Sequence, residues 1–259
     1  MSDIAIFEQP LSERYRLFLR TEQLFERLDH HMAGDSAWDT HAALQAMLEL
    51  LQTVSRGDSK RELLKELDRQ RTALSRFDAQ PAVDRARLGG VLHELQGLID
   101  DLHAITGTLG QELRANELIT QLQQRATTGG YPGVIELPGY QQWLARPVAE
   151  RRRSMEAWLD PLTDARRGID RCLQLAREAA DWESVEARSG FHEQALEAGP
   201  PIQLLRVRLD PRSRERGRFP EISAGRQRFT IRFFEQRDPA RRATQISENI
   251  EFELALCGV

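Results

Sequence analysis

The feature that most constrains the fold is a change of hydrophobic period near Ala180. Before it, apolar residues recur every three to four positions, as in Leu44, Met47, Leu48, Leu51 and Val54, or Leu88, Val91, Leu92, Leu95, Leu98, Ile99 and Leu102. That spacing gathers them on one side of an α-helix. After it the period falls towards two. Leu205, Val207 and Leu209 alternate with Leu204, Arg206 and Arg208; Phe229, Ile231 and Phe233 alternate with Arg228, Thr230 and Arg232. Ile250, Phe252, Leu254 and Leu256 alternate with residues that include Glu251 and Glu253. Alternation of this kind marks half-buried strands. A run of helices followed by a run of strands gives the α+β class. The expected architecture is an N-terminal α-helical bundle domain over about 9–180 and a C-terminal antiparallel β-sheet domain over about 181–259, with a strand at 3–7 joining the sheet edge.

Within the first part, the pattern predicts helices at about 12–32, 40–56, 59–77, 84–104 and 111–126. Helical pattern resumes through Trp143 and Trp158. Asp160-Pro161 then reads as an N-cap and first helical residue, opening a last helix to about Ala180. Gly57 separates the second and third helices. Ser59 with Glu62 has the spacing of a capping box, and Leu63, Leu67, Leu74 and Phe77, with Leu64 beside them, form an apolar face. In the second part, Ser189-Gly190 is the expected turn of a hairpin joining 185–187 to 190–195. The three alternating strands are expected in one sheet whose apolar face rests on the helical bundle. Its outer face would carry Arg206, Arg208, Arg228 and Arg232 near Glu251 and Glu253.

Charge is distributed unevenly. Arg206 to Arg242 contains twelve arginines, no lysine and five acidic residues, a local excess of seven positive charges in a chain of formal net charge −4. Such asymmetry suggests an acidic partner for the basic end: nucleic acid, membrane or an acidic peptide. Arg16, Arg20, Gln23 and Arg27 add a stripe at helical spacing, and the loop 212–218 adds Arg212, Arg214, Arg216 and Arg218 against Glu215. A content of 40% hydrophobic and 29% charged residues is that of a soluble globular protein. With no long apolar run, no secretory leader and only Cys172 and Cys257, the expected compartment is a reducing cytoplasm.

Motifs for chemistry are missing. The six histidines show no metal spacing with the cysteines, and neither a His-Glu-x-x-His nor a Gly-x-Ser-x-Gly motif occurs. His93 and His103 fall near an apolar helix face, where a structural role is expected. Gly129-Gly130-Tyr131-Pro132-Gly133 is a turn cluster lacking the Lys-Ser/Thr pair of a P-loop. Asp100 and Asp101 diverge on a helix. No enzyme, metal or cofactor is expected.

Three segments carry a resemblance: Phe7-Glu8-Gln9-Pro10-Leu11-Ser12-Glu13-Arg14-Tyr15-Arg16, Arg61-Glu62-Leu63-Leu64-Lys65-Glu66-Leu67-Asp68-Arg69-Gln70, and Arg228-Phe229-Thr230-Ile231-Arg232-Phe233. With Phe252-Glu253-Leu254-Ala255 they resemble the ZapD family of Z-ring-associated cell-division proteins, in the family's order and over essentially the whole chain. The loops near 181–199 and 236–247 depart from it, and cysteines that the family can carry after Gly129-Gly130 are absent. The resemblance implies a cytoplasmic, non-enzymatic homodimer at the mid-cell division site, with an α domain and a β domain. It implies binding to the C-terminal tail of FtsZ, the bacterial tubulin homologue, and bundling of its filaments. In or beside the matching segments lie Arg16, Arg20 and Arg56 from the helical part and Arg226, Arg228 and Arg232 from the sheet, the expected partner-binding residues. Nucleic acid and membrane are not expected partners. The alternative is an arginine-rich nucleic-acid-binding or other adaptor protein, against which stand the negative net charge and the lack of a recognisable module.

Overall fold

The computed structural model describes residues 5–55, 58–79, 83–127, 137–196, 201–225 and 227–258. Ile4, Arg56, Gly57, Arg226 and the turn cluster 129–133 lie outside them. The chain is α+β. Helices α1 (Glu13–Met32), α2 (Ala37–Ser55), α3 (Ser59–Ser75), α4 (Arg85–Ala104), α5 (Glu117–Thr127), α6 (Pro138–Leu144), α7 (Val148–Leu159) and α8 (Thr163–Glu178) precede most of the strands. Strand β1 (Ala5–Pro10) comes before them. After them follow β2 (Glu183–Ala187), β3 (Phe191–Ala195), β4 (Leu204–Leu209), a short helix α9 (Pro211–Glu215), β5 (Arg218–Ala224), β6 (Arg228–Glu235), β7 (Thr244–Gln245) and β8 (Ile250–Cys257). Two compact units result, residues 17–172 and residues 1–16 with 173–259, so that α1 and α8 each run across the division.

In the helical unit α2 is the central element. Thr40, Ala43, Leu44, Ala46, Met47, Leu48, Leu50, Leu51, Thr53 and Val54 are all buried, more than one helix face can hold, as befits a helix packed on several sides. It starts earlier than its apolar pattern, at Ala37, because Ser36 and Asp39 form a capping box. Ser36 Oγ accepts from the Asp39 N–H at 3.0 Å, and Asp39 Oδ2 accepts from the Ser36 N–H at 3.0 Å. The Ser36 hydroxyl, donating to Asp39 Oδ2 at 2.7 Å, and then the Ser36 N–H hold the Asp39 carboxyl below its ordinary range.

The box expected at Ser59 is not the cap of α3. The N-cap is Asp58, whose side chain makes no cap bond and instead accepts from Arg61 Nη1 at 3.0 Å, while Glu62 accepts from Lys65 at 2.7 Å. Nor is the buried face of α3 wholly apolar. Leu63 and Leu67 are fully buried, but so are Glu66 and Gln70, whereas Phe77 is 43% exposed. Arg69 reaches Glu66 through Nε at 3.0 Å and Nη2 at 2.5 Å, and Gln70 Nε2 donates to the Cys172 carbonyl at 3.0 Å. His93 and His103 are exposed rather than held in the core. Asp160–Leu162 forms a short 3-10 turn, with Asp160 ending α7 instead of capping α8.

The strands form two antiparallel sheets rather than one, in the orders β1-β4-β8-β2 and β3-β6-β5, with β7 also on β6. Their apolar faces meet. Leu205, Val207, Leu209, Ile250, Phe252 and Leu254 of the first sheet share a core with Phe229, Ile231 and Phe233 of the second, and Phe233 and Phe252 pack with ring centroids 5.1 Å apart. The apolar face expected to rest on helices is therefore covered by another sheet. The Ser189-Gly190 turn has the expected chemistry but a different outcome. Both residues have positive φ and the Phe191 N–H bonds to the Arg188 carbonyl at 3.0 Å, yet β2 pairs with β8 and β3 with β6. The turn is a corner between sheets. A side chain at Gly190 would lie 2.2 Å from the Ile246 carbonyl oxygen, so only glycine fits there. β1 is the edge strand of the first sheet, running to Pro10, which lies opposite Leu204. Part of the expected arginine loop is the edge strand β5, where Pro220 is tolerated because none of the described strands pairs on that side.

Candidate partner-binding surface

The two sheets separate the four arginines expected on one face. Arg206 and Arg208 belong to the first sheet, Arg228 and Arg232 to the second. In the first sheet both are already engaged. Arg206 Nε lies 2.8 Å from Glu8, which also takes two bonds from Arg177 at 2.9 and 2.7 Å. Arg208 donates to Glu253 at 3.1 Å, and its guanidinium stacks over Trp182 at 4.0 Å, with that of Arg206 at 5.1 Å. Partly buried and held by these carboxylates and by Trp182, these side chains brace the sheet.

Arg218 is likewise structural. It donates to Glu235 at 3.2 Å and pairs with Glu248, and with Arg237 also on Glu235 it draws that carboxyl below its ordinary range. Gly217, with positive φ, lets the preceding turn approach Gln236 closely enough for a 3.0 Å bond between the Gln236 N–H and the Gly217 carbonyl. The local excess of positive charge therefore meets carboxylates from outside the stretch: Glu8, Glu193, Glu248 and Glu253.

Arg228 and Arg232 differ. Alternation along β6 points Phe229, Ile231 and Phe233 into the core, all fully buried, and leaves Arg228, Thr230 and Arg232 on the outer face. The Arg228 side chain is 72% exposed. On the same face register places Phe191 and Glu221 beside Arg232, Glu193 and Ser223 beside Thr230, and the stacked pair Phe219 and Phe234 above them, centroids 6.0 Å apart. The Arg232 guanidinium lies 5.7 Å over the Phe191 ring. This open face of arginines and half-buried phenylalanines was not legible as such, because β3 and β5 gave no clean alternation.

On α1, Arg16 and Arg20 are one turn apart and exposed; Arg16 pairs with Glu13 at 3.3 Å. Arg27 of the same stripe pairs with Glu49 at 2.8 Å. The other two expected residues, Arg56 and Arg226, lie outside the described residues. Alternation along β6 puts Arg228 and Arg232 on one face, and helix geometry puts Arg16 and Arg20 on one face.

Among the described residues no group of three or more His, Cys, Asp or Glu could hold a metal ion, and no helix is long and apolar enough to cross a membrane. Cys172 and Cys257 are buried, and burial raises the Cys257 thiol to about 11, leaving it un-ionised at neutral pH.

A family model described as the cell division protein ZapD matches residues 19–232. The chain belongs to the ZapD family. A ZapD cell division protein of Azoarcus sp. (strain BH72) is 38% identical over 251 residues, covering 97% of this chain and 98% of the relative. Its counterpart in Methylococcus capsulatus is 36% identical over 259 residues, covering 99% of each. That of Ralstonia pickettii is 36% identical over 252 residues, covering 97% of this chain and 98% of the relative. Likeness to these ZapD proteins extends through both units.

Proposed function

We propose that this chain is a non-enzymatic cell-division factor that binds the C-terminal tail of FtsZ, cross-links FtsZ filaments and so promotes Z-ring assembly in the cytoplasm at mid-cell. The observation that carries this reading is family membership over nearly the full length of the chain. The residues assigned to partner binding are Arg16, Arg20 and Arg56 of the α domain over 9–180 and Arg226, Arg228 and Arg232 of the β domain over 181–259. Arginine suits an extended peptide because its planar fork grips carboxylates and backbone carbonyls. Exposed pairs contribute about 0.2–1 kcal/mol each, so affinity is shared among several, micromolar in scale and weakened by salt. A symmetric homodimer would offer two equivalent sites and so join two filaments. Neither nucleic acid nor membrane is needed for this role.

Co-sedimentation with assembled FtsZ tests the proposal. The parent protein should pellet with bundled filaments, and the double variant Arg228→Glu/Arg232→Glu should remain in the supernatant while keeping its mass and unfolding midpoint. A double variant that bundles like the parent removes the sheet half of the site. A monomer mass by light scattering at micromolar concentration removes the cross-linking mechanism.

A further inference from the structure

The two arginines of the open sheet face already have glutamates at hand. Arg228 Nη1 donates to Glu193 Oε1 at 2.8 Å, diagonally across the β3–β6 pair. Glu221 of β5 stands directly opposite Arg232. Both glutamates are exposed, so neither carboxylate is needed to satisfy a buried group, and pairs of this kind add little to stability. Their position gives them another role.

We propose that Glu193 and Glu221 are internal competitors, which bring to Arg228 and Arg232 the same carboxylate chemistry that a peptide partner brings and thereby set both affinity and selectivity. The inference rests on the reading of Arg228 and Arg232 as partner-binding residues. At Arg228 an incoming carboxylate must displace Glu193, and at Arg232 it meets Glu221 on the neighbouring strand. For a ligand with a single carboxylate the exchange yields no new kind of contact, and association still costs translational and rotational freedom. A peptide with two carboxylates gains from the second, which engages intramolecularly once the first has docked. Arg228 and Arg232 are four residues apart on one strand, a separation of about 13 Å at the usual strand rise. An extended peptide matches that span when its own acidic residues are about four positions apart. The selected ligand class is therefore an extended chain with spaced carboxylates rather than a single acid or a dense acidic cluster. Phe191, under the Arg232 guanidinium, gives that side chain a fixed platform.

The test uses the full-length protein, a fluorescein-labelled FtsZ tail peptide, and two labelled Gly/Ser peptides carrying two glutamates either adjacent or four positions apart. Glu193→Gln and Glu221→Gln should each tighten tail binding about two- to fivefold, and the double variant more than either. The peptide with spaced glutamates should bind the double variant at least threefold more tightly than the one with adjacent glutamates. If Arg228→Glu/Arg232→Glu binds the tail like the parent, the underlying assignment of the site fails. If that variant loses binding but the glutamine variants bind no more tightly than the parent, the competitor role alone is overturned. Equal binding of the two Gly/Ser peptides overturns the spacing.

Discussion

Both units pair arginine with carboxylates, as Arg27 with Glu49 and Arg69 with Glu66 in the helical one, but at the helix ends of that unit arginine takes backbone carbonyls instead. In the helical unit Arg151 is 6% exposed and donates to the carbonyls of Leu144, Arg146 and Asp35 and to Thr40 Oγ1. Its neighbour Arg152 reaches the carbonyls of Met32 and Gly34 and the Asp35 carboxylate, where α1 ends. In the β unit Arg206, Arg208, Arg218 and Arg228 all meet glutamates. The difference follows from the backbone. A helix end leaves carbonyls without partners, whereas a sheet pairs its backbone internally and offers outward side chains only other side chains. An arginine beside a helix terminus is thus a cap, one on a strand is half of a cross-strand pair, and a binding surface is what remains after both are subtracted.

The largest effect expected from this contrast is at Arg151. Arg151→Met leaves several buried acceptors unpaired and should cost about 2–4 kcal/mol of helical-unit stability. Urea unfolding followed by tryptophan emission reports mainly on that unit, which holds Trp38, Trp143 and Trp158. A loss below about 1 kcal/mol would mean that the carbonyls are readily rehydrated, and the contrast between units would collapse. In the β unit, Glu8→Gln should cost about 1–2 kcal/mol, since Glu8 serves two arginines in a half-buried position. Glu253→Gln, at a more exposed pair, should stay under about 1 kcal/mol. Equal penalties would show that burial does not rank these pairs.

The smallest effects concern helix starts. Ser36→Ala should cost about 1 kcal/mol, and Asp58→Ala only a few tenths, because Asp58 makes no cap bond. The Ser36 penalty should also depend on pH. The folded Asp39 carboxyl is held below its ordinary value, so its stabilising effect is complete above about pH 3.9 and is lost as pH falls through the folded value. The difference between parent and Ser36→Ala should shrink in acid; a constant difference would uncouple the two residues.

Much of the fold was legible because periodicity reports which face of an element is apolar. It does not report what covers that face. The strands around Val207, Phe229 and Phe252 were recognisable, yet nothing local to them distinguishes a helical bundle from a second sheet. β5 was missed because Pro220 and Glu221 interrupt its alternation, although an edge position accommodates both. At Ser36 a Ser-x-x-Asp spacing that was not read from the sequence forms a capping box, while at Ser59 the spacing that was read did not form the cap. The candidate site was legible only in part. β6 displays Arg228 and Arg232 by simple alternation, but Glu193 and Phe191 reach them through pairing between strands some forty residues apart.

The pairing of β1 with β4 has a consequence for synthesis. Ala5 lies opposite Leu209, so the first strand made must wait for about two hundred further residues before its neighbour exists. At ordinary elongation rates of about 5–20 residues per second, that wait is on the order of 10–40 s, long enough for the intervening helices to fold ahead of it. A nascent strand with Ile6 and Phe7 is a target for wrong pairing in that interval. Glu8 and Pro10, within the same six residues, supply the charge and the missing N–H donor that discourage it. Glu8 thus guards the strand before folding and ties it to Arg177 and Arg206 afterwards.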